Sequence, residues 1–341
     1  MVQVRHVRCL AVLFAAACFC GSSSLAPARG ADAAEPAPVR VPVIFDTDIG
    51  DDIDDTWALA LLLRCPELDV KLVVGDYGKP RYRARLLARM LETAGRVDIP
   101  IGVGVDVTVS NPDIETQAEW IEGYELSDWP GKLYEDGVQA IIETVMSAPG
   151  PVTLIAVGPL PNIAAALRRE PRIAQKIRFV GMHGSVRRGY DGSPEPAAEW
   201  NVVCDIPSCQ QVFAAPWPMT VTPLDTCGIV RLSGEPYARI RESSDPLAQM
   251  VVSNFRIWSR QRPDQSAELQ SSILFDTVAV YLATSQELCV MEELGLRVTD
   301  RGYTVIDETA KRVQVATAWK DLNRFHNFLM TRLTSTERAT R

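Results

Sequence analysis

Six aspartates lie within ten residues of this 341-residue chain, between Asp46 and Asp55. They follow the apolar run of residues 43–45 and precede an apolar helical pattern over 57–63, which predicts a buried strand, a loop and a helix. Helix capping and the helix dipole account for Asp54 and Asp55, but not for six carboxylates. Carboxylates this close repel one another unless a cation shares them, and oxygen ligands favour Ca²⁺ or Mg²⁺. The loop is a candidate metal site, with a merely solvated acidic loop as the alternative.

The overall composition limits the partners of the chain. Apolar residues make up 47% and charged residues 23%, as in an ordinary soluble globular protein. The formal net charge of −8 argues against nucleic acid and anionic membrane surfaces, because both would repel an acidic protein. We therefore expect neither partner.

The N-terminal segment has the features of a signal peptide. A basic start over residues 5–8 precedes an apolar stretch over 9–20, and Ala31-Asp32-Ala33 provides a small-x-small cleavage sequence. The apolar stretch is too short to span a bilayer, so no membrane span is expected. We predict export to the periplasm or the extracellular space. The alternative is lipid attachment at Cys18 or Cys20, although neither has the usual Leu three residues before it.

Strand and helix patterns alternate along the rest of the chain with a period of about thirty residues, which indicates βαβ units. The expected fold class is α/β, with a mainly parallel sheet flanked by helices. Helices are predicted over residues 81–94, 133–147 and 320–333, and residues 272–277 are expected to open another. Short antiparallel edge strands are predicted near the C-terminus, within residues 290–306 and 313–318.

No internal repeat, charge block or linker divides the chain after its N-terminal segment. The predicted organisation is a signal peptide over residues 1–33, a tether over 34–40, a single domain over 41–333 and a tail over 334–341. Removal of the signal peptide leaves five cysteines without a C-x-x-C pair, which speaks against a zinc site and a disulfide scaffold. We favour buried free thiols over a pair between Cys204 and Cys209.

The strand–helix rhythm breaks between Asn111 and Gly131. This segment carries Trp120, Tyr124 and Trp129 among acidic residues. Long loops at the ends of parallel strands are where sites are usually built, so one interpretation is a lid over a ligand. The other is a loop whose aromatic side chains anchor it to the core.

Several motifs in a fixed order resemble those of the inosine–uridine-preferring nucleoside hydrolase family. The likeness runs from about Val41 to Leu333, and its main motif is the Asp-x-Asp-x-Gly loop followed by Asp-Asp-x-x-Ala on a helix. The supporting motifs are Val-Gly-Asp-Tyr, Val-Gly-Pro-Leu-Pro-Asn-Ile, Ala-Glu-Trp-Asn with Asp205 after it, Trp-Pro-Met-Thr and Phe-Asp-Thr. The resemblance implies a Rossmann-like nucleoside hydrolase fold, a riboside substrate and a homodimer or homotetramer.

The resemblance also implies roles for individual residues. Asp48 is similar to a residue that both binds calcium and, as the base, activates a calcium-bound water. The other implied ligands of Ca²⁺ are the carboxylates of Asp55 and Asp276 and the main-chain carbonyl of Val157. The implied contacts to the ribose hydroxyls come from three side chains, Asp54, Glu199 and Asn201.

The implied chemistry suits these residue types. Hydrolysis of an N-glycosidic bond passes through an oxocarbenium-like state, which surrounding carboxylates stabilise. A main-chain carbonyl suits Ca²⁺, which accepts neutral oxygens in flexible geometry. The sequence thus predicts an N-glycosyl hydrolase that depends on calcium.

The chain departs from the family pattern at four places. Two extra residues separate the two aspartate pairs, which adds Asp52 as a further candidate ligand. Asp76 replaces an Asn and Phe275 replaces a His, and both remain candidates for substrate binding. Ser193 is the nearest residue to the position of an expected Asn upstream of Glu199. The sugar side of the site therefore matches the family, whereas the nucleobase side does not.

Two rival functions remain at this point. A haloacid-dehalogenase-type phosphohydrolase also begins with Asp-x-Asp after a strand; Asp46 would be its nucleophile and Mg²⁺ its ion. The other rival is an exported ribose or nucleoside binder that has lost catalysis along with its acid. His183 is a candidate replacement for that acid, although packing beneath the rim of the sheet is the alternative for it.

Overall fold

The computed structural model describes residues 40–107 and 115–335. Its strands are Val41–Thr47 (β1), Leu68–Gly75 (β2), Ile101–Val103 (β3), Leu133–Tyr134 (β4), Val152–Ala156 (β5), Ile177–Met182 (β6), Met219–Thr222 (β7), Arg231–Ser233 (β8), Gln270–Ile273 (β9), Cys289–Val298 (β10), Thr304–Ile306 (β11) and Arg312–Trp319 (β12). Ten of these strands build one sheet in the order β11-β10-β12-β7-β6-β5-β1-β2-β3-β4. From β12 to β4, all neighbouring strands are parallel, whereas β10 and β11 are antiparallel to their neighbours. A small antiparallel pair, β8 and β9, lies apart from this sheet.

Helices cover both faces of the sheet, so its central strands are buried apolar runs, as parallel sheets require. Successive side chains of β1 serve opposite faces: Val43 and Phe45 belong to one hydrophobic core and Ile44 to the other. The helices are Asp54–Leu63 (α1), Pro80–Thr93 (α2), Gly137–Ser147 (α3), Pro161–Arg169 (α4), Trp200–Cys204 (α5), Ile206–Ala214 (α6), Leu224–Cys227 (α7), Gly234–Arg241 (α8), Pro246–Ser259 (α9), Phe275–Thr284 (α10) and Leu322–Thr334 (α11). The predicted fold class is confirmed.

The direction in which strands are added reverses at β1. The chain places β2, β3 and β4 on one side of it and then returns to place β5, β6 and β7 on the other. The carboxyl ends of β1 and β5 are therefore neighbours at a topological switch point, where open α/β sheets bind their ligands. The aspartate loop leaves β1 at this point, and Val157 follows β5.

Two predicted helices begin later in the chain than expected. Residues 133 and 134 form the edge strand β4, and α3 begins only at Gly137, because the Asp136 carboxylate caps it by accepting from the Gln139 N–H at 3.0 Å. Ser272 and Ile273 end β9, so that α10 starts at Phe275. The C-terminal strands are longer than expected, with ten residues in β10 and eight in β12.

The segments at the chain ends fall mostly outside the described residues. The predicted signal peptide, all of the tether except Arg40, and residues 336–341 of the predicted tail are not described; Thr334 still belongs to α11. The described residues belong to one compact unit. None of the helices within residues 40–107 and 115–335 is long and apolar enough to cross a membrane.

Candidate active site

The aspartate loop folds back sharply between β1 and α1. Gly50 has a φ of 106°, and a Cβ there would come within 2.6 Å of the side chains of Tyr82 and Leu86. Glycine is therefore needed at this position both for the backbone angle and for the close approach. The turn directs Asp48 towards the end of β5, and α1 begins with Asp54 and Asp55, as predicted.

A fully buried arginine holds the loop from below. The Arg83 guanidinium donates to the carbonyls of Asp48 and Ile49 (2.9 Å to Ile49) in the loop, and to those of Tyr77 (2.7 Å) and Gly78 (3.0 Å) after β2. It thereby joins the carboxyl ends of β1 and β2 and places a permanent positive charge beneath the carboxylates. This role was not predicted from the sequence, because an arginine in an amphipathic helix usually faces solvent.

Residues that follow the undescribed gap at 108–114 hold the loop from the side. The Thr116 hydroxyl donates to the carbonyls of Gly50 (2.9 Å) and Asp51 (2.7 Å). Gln117 donates to the Asp52 carbonyl at 3.2 Å and accepts from the Thr56 hydroxyl at 2.9 Å. Each bond satisfies a polar group of a loop that has no ladder partners of its own. Neither residue was predicted from the sequence.

The aromatic residues of this segment pack as anchors. Trp129 is buried, while Trp120 and Tyr124 pack against the core and lie beside the guanidinium of Arg89, whose carbon is 4.9 Å from the Trp120 ring centroid. None of the three lines the cavity described below. Within residues 115–131, the arrangement therefore favours the anchoring interpretation over the lid.

Three carboxylates meet where α1 and α10 begin. Asp54, Asp55 and Asp276 are buried, and each has an oxygen within 4.8 Å of the others. Burial raises the pKa of all three well above the usual value, and neighbouring carboxylates add to this. Buried, mutually repelling oxygens at this spacing suit a hard divalent cation, so the residues present fit a metal site.

Asp48 lies beside this cluster. Its carboxylate packs against Gly158, where even a Cβ would come within 2.7 Å of an oxygen. Burial raises the pKa of Asp48 to about 7, although the Arg83 charge opposes the rise. The Val157 carbonyl, a predicted ligand, accepts a hydrogen bond from the Asn201 amide at 2.9 Å. The three carboxylates that lie close enough to share a metal ion therefore include Asp54, whereas the resemblance implied Asp48 as the third carboxylate ligand.

Asp46 and Asp76 lie behind the loop and do not line the cavity. Burial raises the pKa of Asp46 to about 6 and that of Asp76 well above its usual value, and the negative charge of Asp46 adds to the rise at Asp76. The Asn162 amide donates to Asp46 at 2.9 Å. Substrate binding by Asp76 remains a prediction. A phosphohydrolase nucleophile at Asp46 would be inaccessible, because that side chain is fully buried.

Glu199 and Asn201 reach the cavity from the start of α5. The Glu199 carboxylate accepts from three backbone N–H groups, those of Gly184 (3.0 Å), Asn201 (2.8 Å) and Val202 (3.3 Å). Burial nevertheless raises the pKa of Glu199 to about 7. The Asn201 amide donates to Met182 and Val157 carbonyls at the ends of β6 and β5. Both side chains are therefore held by backbone groups at the carboxyl edge of the sheet.

These groups surround one cavity of about 220 Å³. Five acidic lining residues, which we name the acidic wall, are Asp48, Asp54, Asp55, Asp276 and Glu199. Three aromatic lining residues, which we name the aromatic wall, are Tyr190, Trp200 and Phe275. The remaining lining residues are Asp51, Asp52, Val157, Met182, Asn201 and Arg262. Of the predicted site residues, all except Asp76 line this cavity, and Arg262, Tyr190 and Trp200 were not predicted.

The aromatic wall carries no acid group. Phe275 meets the Tyr190 ring edge-on, with centroids 6.1 Å apart, and the Tyr190 hydroxyl accepts from the Trp200 N–H at 2.9 Å. Burial raises the pKa of Tyr190 well above its usual value, so its hydroxyl is a weak proton donor at neutral pH. An aromatic wall of this kind can stack on a planar leaving group.

His183 packs beneath the rim of the sheet. It is fully buried against Phe179 and Phe213, its Nε2 lies 3.0 Å from the Gly158 carbonyl, and it does not line the cavity. Burial lowers its pKa to about 4. The described geometry therefore favours the packing interpretation over the acid. Cys204 and Cys209 are free thiols.

Comparisons with known proteins identify the family of this chain. The family model described as inosine-uridine preferring nucleoside hydrolase matches residues 43–327. A pyrimidine-specific ribonucleoside hydrolase, RihA of Citrobacter koseri, is 29% identical over 79% of this chain and 89% of its own length. A probable uridine nucleosidase 2 of Arabidopsis thaliana is 26% identical over 83% of this chain and 90% of its own.

Solved structures show the same fold. A plant nucleoside hydrolase, PpNRh1, superposes with a TM-score of 0.75 at 21% identity and covers 87% of this chain and 100% of its own. A purine-preferring ribonucleoside hydrolase of Gardnerella vaginalis reaches 0.70 at 24% identity, over 86% of this chain and 98% of its own. The predicted family and enzyme class are both confirmed. The chain belongs to the inosine-uridine preferring nucleoside hydrolase family, a family of N-glycosyl hydrolases.

Proposed function

We propose that this protein hydrolyses the N-glycosidic bond of ribonucleosides or related ribosides and depends on calcium for it. The observation that carries the proposal is the convergence of the acidic wall with Asn201 around one cavity at the switch point of the sheet. Carboxylates there stabilise the positive charge that develops on the sugar as its bond to the base breaks.

The metal would be held by Asp55 and Asp276, with Asp48 and the Val157 carbonyl completing the protein ligands and Asp52 as a further candidate. Bound Ca²⁺ would offset the repulsion among these carboxylates and organise oxygen ligands at the floor of the cavity. Asp54 is close enough to join them. We assign it instead to the ribose, together with Glu199 and Asn201.

Asp48 is the proposed base. Its carboxylate is buried at the cavity floor, and its raised pKa of about 7 makes it a better proton acceptor than an ordinary aspartate. A water that attacks the anomeric carbon would pass its proton to this carboxylate. The bonds that Arg83 makes to the carbonyls of Asp48 and Ile49 hold the base in position while it does so.

The test is release of reducing sugar by calcium-loaded protein from uridine, inosine and 4-nitrophenyl riboside. We expect release from at least one of them, and its loss after chelation with recovery on adding calcium. Chelation without effect on the rate would contradict the calcium dependence. Failure to cleave any riboside would contradict the hydrolase itself.

The aromatic wall supports one alternative, a non-catalytic riboside binder, because Phe275 cannot donate a proton. Calorimetry in the same samples separates the two functions. A binder would retain ribosides with calcium present and release no sugar during long incubation. A hydrolase would show heat from turnover.

We also propose that the protein is exported and works as a homodimer or homotetramer, with a lipid-attached form as the alternative. N-terminal sequencing of the protein from its native location should begin near Ala33, and light scattering should give two or four times the chain mass. A blocked N-terminus at Cys18 or Cys20 would indicate the lipid-attached form.

A further inference from the structure

A single arginine lines the cavity together with the two walls. Arg262 follows the end of α9, and its guanidinium carbon lies 3.9 Å from the centroid of the Trp258 ring. One of its N–H groups donates to the Trp258 carbonyl at 3.2 Å, and the Trp258 indole donates in turn to the Asp51 carbonyl at 3.2 Å. The side chain is thus fixed to the aspartate loop by stacking and by hydrogen bonds.

The neighbouring arginines behave differently. Arg256 is paired with Glu268 at 2.7 Å, and Arg260 with Glu119 at 2.7 Å. Arg262 makes no ion pair of this kind with the described residues; Asp51 and Asp52 act on it only from a distance. The guanidinium of Arg262 stacks on Trp258, and this contact leaves most of its five N–H donors without a protein acceptor. A half-buried arginine with free donors in a cavity is suited to an electron-rich ligand group.

The sugar would occupy only part of the cavity. If the acidic wall and Asn201 hold the ribose, the remaining lining, which includes the aromatic wall and Arg262, is left for the leaving group. The three residues of the aromatic wall offer no proton donor of ordinary acidity, since burial raises the pKa of Tyr190 well above its usual value. An arginine does not act as a general acid in proteins, but it stabilises negative charge at any accessible pH.

We propose that Arg262 stabilises the leaving group of the riboside as an anion, in place of a protonating acid. This inference rests on the proposed hydrolase function. The bond from the anomeric carbon to the leaving atom breaks, and its electron pair stays with the leaving group. The water oxygen bonds to the anomeric carbon, and its proton passes to Asp48. The anion departs beside the guanidinium and takes a proton from solvent afterwards.

The proposal names a substrate class. Ribosides whose leaving group is acidic, or presents an acceptor atom to the guanidinium, are favoured over those whose base must be protonated before it leaves. The required measurement is kcat/KM for a series of aryl ribosides of graded phenol acidity, in the wild type and in Arg262→Met. Because a slope across substrates is independent of the amount of active enzyme, partial misfolding of the variant does not affect it.

We expect Arg262→Met to lower kcat/KM by up to about 10²-fold for the riboside of the least acidic phenol and by less than about threefold for 4-nitrophenyl riboside. The dependence of kcat/KM on phenol acidity would then be steeper in the variant than in the wild type. Arg262→Lys should recover part of the difference. Arg260→Met is the matched control, because that exposed arginine does not line the cavity, and it should keep the wild-type slope.

The proposal would be overturned if kcat/KM of Arg262→Met depended on phenol acidity with the same slope as that of the wild type, whether its values were unchanged or uniformly lower. An unchanged slope would show that the arginine only balances the charges of Asp51 and Asp52 or supports the fold. Both outcomes leave the wild-type cleavage of 4-nitrophenyl riboside intact. Absence of that cleavage in the wild type, with every other riboside also uncleaved, would instead overturn the hydrolase proposal together with this one.

Discussion

The two walls of the cavity differ in how their side chains are held. On the acidic wall, Glu199 accepts three backbone N–H groups, and the backbone of Asp48 is bound by Arg83. On the aromatic wall, Phe275 and Tyr190 hold each other by ring contact, and Trp200 is 43% exposed. One wall is held by backbone groups at the edge of the sheet, and the other mainly by contacts among its own side chains. The chemistry of the sugar is therefore built into the fold, whereas that of the leaving group can change with few substitutions.

The largest effect that we expect tests the acidic wall. Asp48→Ala removes the proposed base and should lower kcat/KM by about 10⁴-fold, the upper end for general base catalysis. Steady-state kinetics with 4-nitrophenyl riboside measures it. Asp69→Ala is the control, because that aspartate pairs with Lys71 on the surface and lies near the start of β2. A loss below about tenfold would assign the base to another residue.

The next effect tests the aromatic wall. Phe275 cannot protonate a purine, and general acid help is worth about 10²–10⁴-fold, so 4-nitrophenyl riboside should exceed inosine in kcat/KM by at least about 10²-fold. Phe275→His should recover part of the inosine rate and should leave the nitrophenyl rate nearly unchanged. Phe275→Leu serves as the matched control, since it alters the ring without adding an acid.

Equal wild-type rates on inosine and nitrophenyl riboside would show that another residue protonates the leaving base. His183 would then need mutation first, despite its buried position under the sheet rim. His183→Asn with an unchanged inosine rate would exclude it.

A smaller effect tests how the acidic wall and Asn201 recognise the ribose hydroxyls. Asp54, Glu199 and Asn201 recognise ribose hydroxyls in the proposed complex, and removal of one hydroxyl leaves buried groups unpaired at a cost of about 1–3 kcal/mol. Deoxyuridine should therefore react about tenfold to a hundredfold more slowly than uridine, if uridine is a substrate. Equal rates for the two would contradict the assignment of these three residues. Glu199→Gln should narrow the difference between the two substrates.

The same contrast explains what could be predicted from the sequence. Clustered aspartates, Glu199 and Asn201 lie in local motifs with a chemical meaning, and so the acidic wall was predicted from composition and spacing together with the family resemblance. Arg83, Thr116 and Gln117 were missed because they act through backbone carbonyls of distant segments, which no local pattern encodes.

Arg262 and Tyr190 were missed for a related reason. Their position depends on where the loops after α9 and β6 close over the sheet, and loop closure is set by tertiary packing. The edge strand β4 was hidden in the same way: two residues without periodicity become a strand only because β3 offers them a partner. Asp76 illustrates the converse, since it was predicted from its place in a family motif but does not line the cavity.

The smallest expected effect concerns thermal stability. Its dependence on pH and on calcium should come from the acidic wall and not from the aromatic wall. Folding raises the pKa of Asp48 from 3.8 to about 7, so between these values the folded metal-free protein binds more protons than the unfolded chain. The free energy of unfolding must then fall as pH rises through this window. Metal-free protein should melt at a higher temperature at pH 5 than at pH 7.5.

Calcium at a hundred times its dissociation constant should add about 2.7 kcal/mol to the free energy of unfolding, which raises the melting temperature by about 5 °C. It should add less at pH 5, because protons compete for the same carboxylates.

Scanning calorimetry with chelator and with calcium at both pH values measures this, and the variants assign it to one wall. Asp55→Asn should abolish the calcium shift, because it removes a ligand from the cluster formed by Asp54, Asp55 and Asp276. Phe275→Leu and Asp69→Asn should keep the shift at its wild-type size. A calcium shift that is equal at pH 5 and 7.5, or that persists in Asp55→Asn, would place the ion elsewhere than on the acidic wall. The aromatic wall carries no carboxylate and should therefore contribute nothing to either dependence.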